Sequence, residues 1–235
     1  MAGILYAVGV GPGEPELMTL KAVSVINRCE YIVLPDSGRE KSVACEIVGK
    51  VCDLSEKKFL SVSMPMTKDE AVLTAAHNNA ARVIIELLET GKDVAFLTLG
   101  DPSVYATTSY VVERVAQKGF ETQTISGIPS FVAVAAKLNI PLGLSGEQIH
   151  IIPANYDIEE AVKLSGTRIF MKIGSKMEQL KKALSKIQAD IYVIERCGME
   201  GESVGSGIEA LSAEASYFTI VVVKEKAYGK VKEKI

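Results

Sequence analysis

Acid–base chemistry is thinly provided in this sequence. Two histidines are present, His77 and His150, and no HExxH, GxSxG or GxxxxGK[ST] pattern occurs, so the residues for zinc-protease, serine-hydrolase and P-loop chemistry are lacking. His77 falls within a long helical pattern beside Asn78 and Asn79, which favours a structural role, and His150 sits in a strand pattern. The four cysteines, Cys29, Cys45, Cys52 and Cys197, have no CxxC spacing and no paired histidine, so they read as reduced thiols without a metal. What remains are turns that follow apolar runs: residues 9–15, 99–104, 126–130 and 171–175. Exposed backbone N–H and C=O groups at such turns suit the purine, ribose and amino-acid ends of a nucleoside-like ligand.

The first turn, GVGPGEPEL, resembles a dinucleotide fingerprint only in part. Gly9 and Gly11 supply two glycines of GxGxxG, but Glu14 occupies the third position and Pro12 removes an N–H and fixes φ near −65°. The loop therefore reads as a rigid wall beside a ligand, and a nicotinamide-dependent oxidoreductase is disfavoured, although Asp36 after the second strand keeps that reading open.

The elements that must position these turns alternate. Strand patterns cover 4–10, 31–35, 58–64, 93–99 and 121–125, separated by helical patterns over 17–28, 42–51 and 103–117 and by a long helix after residue 66. A capping box over 67–70 opens the long helix, Leu73, Ala76, Ala80, Val83, Ile84 and Leu87 keep helical spacing, and Gly91 closes it. The run over 93–99 is continuously apolar, which places it centrally in a sheet. Beyond the turn at 126–129, helix 130–138, strand 148–153, helix 157–164 and strand 167–173 follow. A second capping box over 175–178 opens a helix, and strands follow at 190–196 and 217–224. The alternation implies parallel strands with crossover helices, an α/β class, and two α/β domains, 1–129 with a mostly parallel sheet and 130–235, with a ligand cleft between them.

The totals agree with a well-packed protein: 235 residues, 48% hydrophobic and 23% charged. A net charge of −3 argues against a nucleic-acid partner, and the basic end KEKAYGKVKEKI reads as a solvated tail. No apolar run is long enough to span a bilayer and no basic leader precedes the first strand, so a cytoplasmic protein without a membrane partner is expected.

Taken in order, the turns resemble the tetrapyrrole methyltransferase family. Its GxGPGxPELxTLKA appears as GVGPGEPELMTLKA from Gly9, its GDPxxY at Gly100 to Tyr105, its GIxSF-like turn as Gly127-Ile128-Pro129-Ser130-Phe131, and its strand-closing methionine as Met171 in RIFMKIG. FLTLGDPSVYATTSYV, with Pro35 ending the second strand, is similar to the branch that methylates C-20 of precorrin-2 or cobalt-precorrin-2 on the way to cobalamin. The resemblance implies S-adenosylmethionine as methyl donor, a tetrapyrrole as substrate and a homodimer. Carried over by position, it implies cofactor contacts at Pro12, Leu99, Gly100, Asp101, Val104, Pro129, Ser130, Met171, Cys197, Thr219 and Ile220. Tyr105 and Asp101 stand where a base for the departing proton would be, with Asp101 equally explained as a cap of the helix expected from Ser103. Arg39, Lys41, Lys172 and Arg196 are expected to meet the carboxylates of the polyanionic substrate. Methylation at C-11 or C-17, and a noncatalytic S-adenosylmethionine sensor, are the competing readings.

Overall fold

The computed structural model describes residues 1–36 and 41–225, with the side chains of residues 41 and 42 outside that description. Its contacts divide the chain into two units, Met1–Pro129 and Ser130–Ile235.

The first unit is built on five strands, β1 Leu5–Gly9, β2 Tyr31–Asp36, β3 Lys58–Ser63, β4 Val94–Thr98 and β5 Thr122–Ile125, in the order β3-β2-β4-β1-β5. Every pairing is parallel. The apolar runs LYAVG and VAFLT are buried at every position, as strands covered on both faces must be. The alternation of side chains sorts them to two cores. Tyr6, Val8, Ile32, Leu34, Ala95 and Leu97 pack with helices α1 Leu20–Arg28 and α2 Lys41–Gly49. Leu5, Val33, Val94 and Phe96 pack with α3 Glu70–Glu89 and α4 Thr108–Gln117.

This segregation fixes where a ligand crevice can lie. The connections leaving β1 and β2 cross one face toward β3, whereas those leaving β3 and β4 return over the other face toward β5. Neighbouring β1 and β4 therefore send their chains in opposite directions, and their carboxyl ends form the topological switch point where open α/β sheets bind ligands.

Two helix starts differ from the sequence pattern. The side chain of Asp69, not Thr67, caps α3, accepting from Ala71 N at 2.9 Å and Val72 N at 3.2 Å, while Thr67 Oγ1 accepts from Asp69 N. α4 begins at Thr108 instead of Ser103, because Tyr105 has φ of 49°, a left-handed conformation no α-helix contains.

The second unit contains α5 Ser130–Leu138, β6 Ile149–Pro153, α6 Ile158–Lys163, β7 Thr167–Met171, α7 Met177–Leu184, β8 Ala189–Glu195, β9 Ser203–Ser206 and β10 Thr219–Glu225. The strand order is β6-β7-β10-β8-β9. Here the pairing is mixed: only β6 and β7 run parallel, β10 is antiparallel to both β7 and β8, and β9 is antiparallel to β8. No helix long enough for a crossover follows β8; the chain makes the hairpin to β9 and a 3₁₀ turn at Ile208–Ala210 instead. α7 starts without a side-chain cap after a 3₁₀ turn at Gly174–Lys176, so the expected box over 175–178 does not form.

Lys224, expected to begin a solvated tail, is 1% exposed within β10. Its Nζ donates to Thr167 Oγ1 at 2.9 Å, Pro141 O at 3.0 Å and Leu142 O at 3.1 Å and forms an ion pair with Glu147 Oε2 at 3.3 Å, clasping the α5–β6 loop to the sheet. The rest of the expected tail, 226–235, lies outside the described residues. Among the described residues no helix is long and apolar enough to cross a membrane.

Candidate active site

At the carboxyl end of the parallel sheet the loops after β1, β4 and β5 are tied together in pairs. Gly100 N donates to Gly11 O at 2.8 Å and Gly11 N returns a bond to Gly100 O at 3.3 Å, joining the first two loops. A Cβ on Gly9 would lie 2.6 Å from Gly100 O and 2.7 Å from Gly127 N, and one on Gly127 would lie 2.2 Å from Gly100 O. Glycine is needed at 9 and 127 because backbone meets backbone there. The 3₁₀ turn Pro15–Leu17 follows, and α1 starts only at Leu20, so no helix N-terminus opens directly from the glycines as a dinucleotide site requires.

Asp101 joins the second and third loops. It is buried, and its Oδ2 accepts from Gly127 N at 3.0 Å while Oδ1 accepts from Ser103 N at 2.8 Å and from Ser103 Oγ. The expected helix cap is thus an Asx turn, because α4 starts five residues beyond Ser103. Thr19 Oγ1 completes the set by donating to Ser126 O at 3.2 Å. Around this knot Pro12 is buried, Leu99, Val104 and Pro129 are half-buried, and Tyr105 is half exposed.

In the second unit, antiparallel pairing brings the start of β10 to the ends of β7 and β8. Ile220 pairs with Met171 and with Ile194, and Thr219 pairs with Glu195. Thr219 is fully buried, and its Oγ1 has no hydrogen-bond partner among the described residues. Such an orphan costs about 1–3 kcal/mol unless a ligand satisfies it. Cys197, just past β8, is buried, and Ser130 opens α5. Lys172 and Arg196 directly follow β7 and β8 with left-handed φ of 58° and 54°. Lys172 Nζ lies 5.3 Å from the Tyr217 ring centroid, and Arg196 Nε donates to Glu200 O at 2.6 Å. Glu202 braces the same loop by accepting from Gly198 N at 2.7 Å and pairing with Lys137 at 2.8 Å. The Gly198 N–H first, and Lys137 second, hold its carboxyl below the usual range.

The sequence over residues 4–210 matches the family model for tetrapyrrole (corrin/porphyrin) methylases. The chain belongs to that family. It is 33% identical over 224 residues to the probable cobalt-precorrin-2 C(20)-methyltransferase of Methanocaldococcus jannaschii, covering 94% of this chain and 95% of that one. It is 27% identical over 234 residues to the precorrin-2 C(20)-methyltransferase of Sinorhizobium sp, covering 94% and 95%. Its fold is similar to that of uroporphyrin-III C-methyl transferase from Thermus thermophilus complexed with S-adenyl homocysteine. The TM-score is 0.71 and the identity 18%, and the match covers 97% of this chain and all of that one.

For a tetrapyrrole methylase, the residues singled out by sequence fall into groups within each unit. Pro12, Leu99, Gly100, Asp101, Val104 and Tyr105 gather at the first unit's switch point, while Met171, Cys197, Thr219 and Ile220 gather at one end of the second sheet. Arg39 lies outside the described residues, and Lys41 begins α2 with its side chain undescribed. Sequence reasoning missed Gly127 N and Thr19 as ties between loops, Ser103 as the partner of Asp101 within its own loop, and Tyr217 beneath Lys172; the Asp-Pro-Ser spacing was the available signal for the Asx turn. The histidines sit in structural surroundings. His77 is buried against Tyr110, with ring centroids 5.1 Å apart, and burial followed by the Arg114 charge pushes its imidazole down. His150 Nε2 contacts Ser165 O at 3.0 Å. Among the described residues no cluster of three or more His, Cys, Asp or Glu could hold a metal ion.

Proposed function

We propose that this chain transfers the methyl group of S-adenosylmethionine to C-20 of precorrin-2 or of its cobalt complex. The observation that carries this reading is the 33% identity to a probable C(20)-methyltransferase across nearly the whole of both chains. Each unit by itself carries groups suited to such a donor: backbone polar groups of the glycine loops at the switch point in the first, and in the second the Thr219 hydroxyl, which has no hydrogen-bond partner among the described residues, beside buried Met171 and Ile220.

Bound S-adenosylmethionine supplies an electrophilic methyl group on a cationic sulfur. C-20 of the reduced macrocycle is already an electron-rich, enamine-like carbon, so the chain's task is alignment, worth roughly 7–11 kcal/mol through avoided bimolecular entropy. Pro12, Leu99 and Val104 give the first unit's switch point an apolar lining, and exclusion of water there favours a transition state in which charge is dispersed. Tyr105 Oη stands on the half-exposed turn, where it can relay the released proton to water. A chain of net charge −3 must attract the substrate's carboxylates locally, and Lys172 and Arg196 at the strand ends of the second unit are cations placed for that task.

Incubation with precorrin-2 and cobalt-precorrin-2, each with a 13C-methyl donor, tests the assignment by NMR. Label at C-20 is the expected result, and the better substrate tells whether cobalt is inserted before this step. Label at C-11 or C-17 overturns the assigned position, and donor binding without turnover on either tetrapyrrole favours the sensor reading. The protein is further proposed to be a cytoplasmic homodimer, a state that sedimentation equilibrium checks.

A further inference from the structure

We propose that Asp101 is a positioning residue: its buried carboxylate locks the β4 loop to the β5 loop, so that the backbone groups facing the methyl donor are set before the donor arrives. The inference rests on the reading that the first unit's switch point holds the donor, and it goes beyond that reading by removing Asp101 from the acid–base chemistry.

Three donors converge on two oxygens. Gly127 N reaches Oδ2 at 3.0 Å, and Ser103 N and Ser103 Oγ reach Oδ1, the former at 2.8 Å. The residue is 7% exposed, so these bonds form largely away from water and are charge-assisted. A carboxylate so engaged presents little free lone pair to a substrate proton. It does complete a ring of ties: Gly11 with Gly100, Asp101 with Gly127, and Thr19 with Ser126. Of these, only the Asp101 tie uses a charged side chain; the Gly11–Gly100 bonds are main chain on both sides, and the Thr19 bond joins a neutral hydroxyl to a carbonyl. Remove the Asp101 tie and, among the described residues, the β5 loop is left with the weaker bond from Thr19 and the close contact of Gly127 with Gly9 and Gly100.

Asp101→Asn is a sharp test because the amide cannot satisfy all three donors. Whichever way it turns, its NH2 faces either Gly127 N–H or Ser103 N–H, and neither backbone N–H can accept. Calorimetric titration of the full chain with S-adenosylhomocysteine is expected to show binding weakened about tenfold. The kcat at saturating donor should fall much less, and the shape of its pH profile should not move. Ser103→Ala, at an exposed position, removes one donor but keeps the backbone N–H; about two- to threefold weaker binding is expected, and it decides the matter should Asp101→Asn fail to fold. Unchanged affinity in whichever of these variants folds overturns the proposal. So does a collapse of kcat at unchanged affinity with loss of the acid limb of the pH profile, which would make Asp101 the base. Each of these results leaves the position of methylation untouched, since that is read separately from the wild-type product.

Discussion

The two units expose their functional groups in opposite ways. In the first, parallel strands deliver three loops to one end of the sheet, and the groups on offer are mostly backbone, brought so close that Gly9 and Gly127 cannot carry a Cβ. In the second, an antiparallel strand carries its beginning to the ends of its neighbours, and the groups on offer are side chains: Met171, Thr219, Ile220 and the cations Lys172 and Arg196. Backbone recognition requires glycine, which has no side chain to obstruct approach. Side-chain recognition at a sharp strand end instead leaves long residues in left-handed backbone, at a cost of order 1 kcal/mol each.

The comparison breaks most visibly at Gly127. Alanine there sets a Cβ 2.2 Å from Gly100 O, a clash with main chain that no rotamer relieves. Gly127→Ala should lose about 3 kcal/mol or more of stability and, with the loops forced apart, its affinity for S-adenosylhomocysteine. Thermal unfolding and calorimetry measure both, and an unshifted Tm would mean the loops do not meet. The corresponding clasp of the second unit is Lys224. Lys224→Met leaves two carbonyls and the Glu147 carboxylate without their cation and is expected to cost about 2–3 kcal/mol in urea unfolding.

Glycine should have the reverse effect at the second unit's strand ends. Lys172→Gly and Arg196→Gly relieve left-handed strain and are expected to raise stability by about 1 kcal/mol, less what Arg196 loses with its bond to Glu200 O. The same variants remove cations proposed to meet the substrate, so KM for the tetrapyrrole should rise while donor affinity holds. Steady-state kinetics separate the two readouts, and an unchanged KM would restrict these residues to shaping the loops.

How much of this was legible follows from the physics of each element. LYAVG and VAFLT are apolar throughout, so their burial at the sheet centre could be read directly, and the glycine turns after them marked the switch point. β9, with the sequence SVGS, has one apolar residue, and that one is exposed, so its pairing with β8 as an edge strand is announced by no hydrophobic pattern. Lys224 belongs to the expected strand 217–224, but its burial was not legible, because a charge in a basic stretch looks solvated until Thr167 and Glu147 surround it. The left-handed turn at Tyr105 shortened α4 without a glycine to signal it. Within the site, the residue types were visible but their partners were not: the bond from Gly127 to Asp101 joins positions 26 apart, a distance along the chain that spacing rules do not reach.

The smallest expected effect lies at the opposite, amino end of the parallel sheet, where charge replaces backbone as the fastener. Glu30, just before β2, pairs with Lys58 at the start of β3 and with Lys92 before β4, each at 2.7 Å. Hydrogen bonds from Lys58 and Lys92 hold its carboxyl down to about 2, against an ordinary value near 4.5. Because the folded chain keeps this group ionised where the unfolded chain takes up a proton, its contribution is present above about pH 4.5 and is lost as pH falls through about 2. Exposure to solvent keeps the contribution small and sensitive to salt. Glu30→Gln should therefore lower stability slightly at every pH above about 4.5, with the difference from wild type closing as pH falls through about 2 and shrinking in 1 M salt. Donor affinity should be the same in both proteins, since the charges at this end do not enter the loops at the other; a Glu30→Gln variant that bound S-adenosylhomocysteine more weakly would show that the two ends of the sheet are coupled.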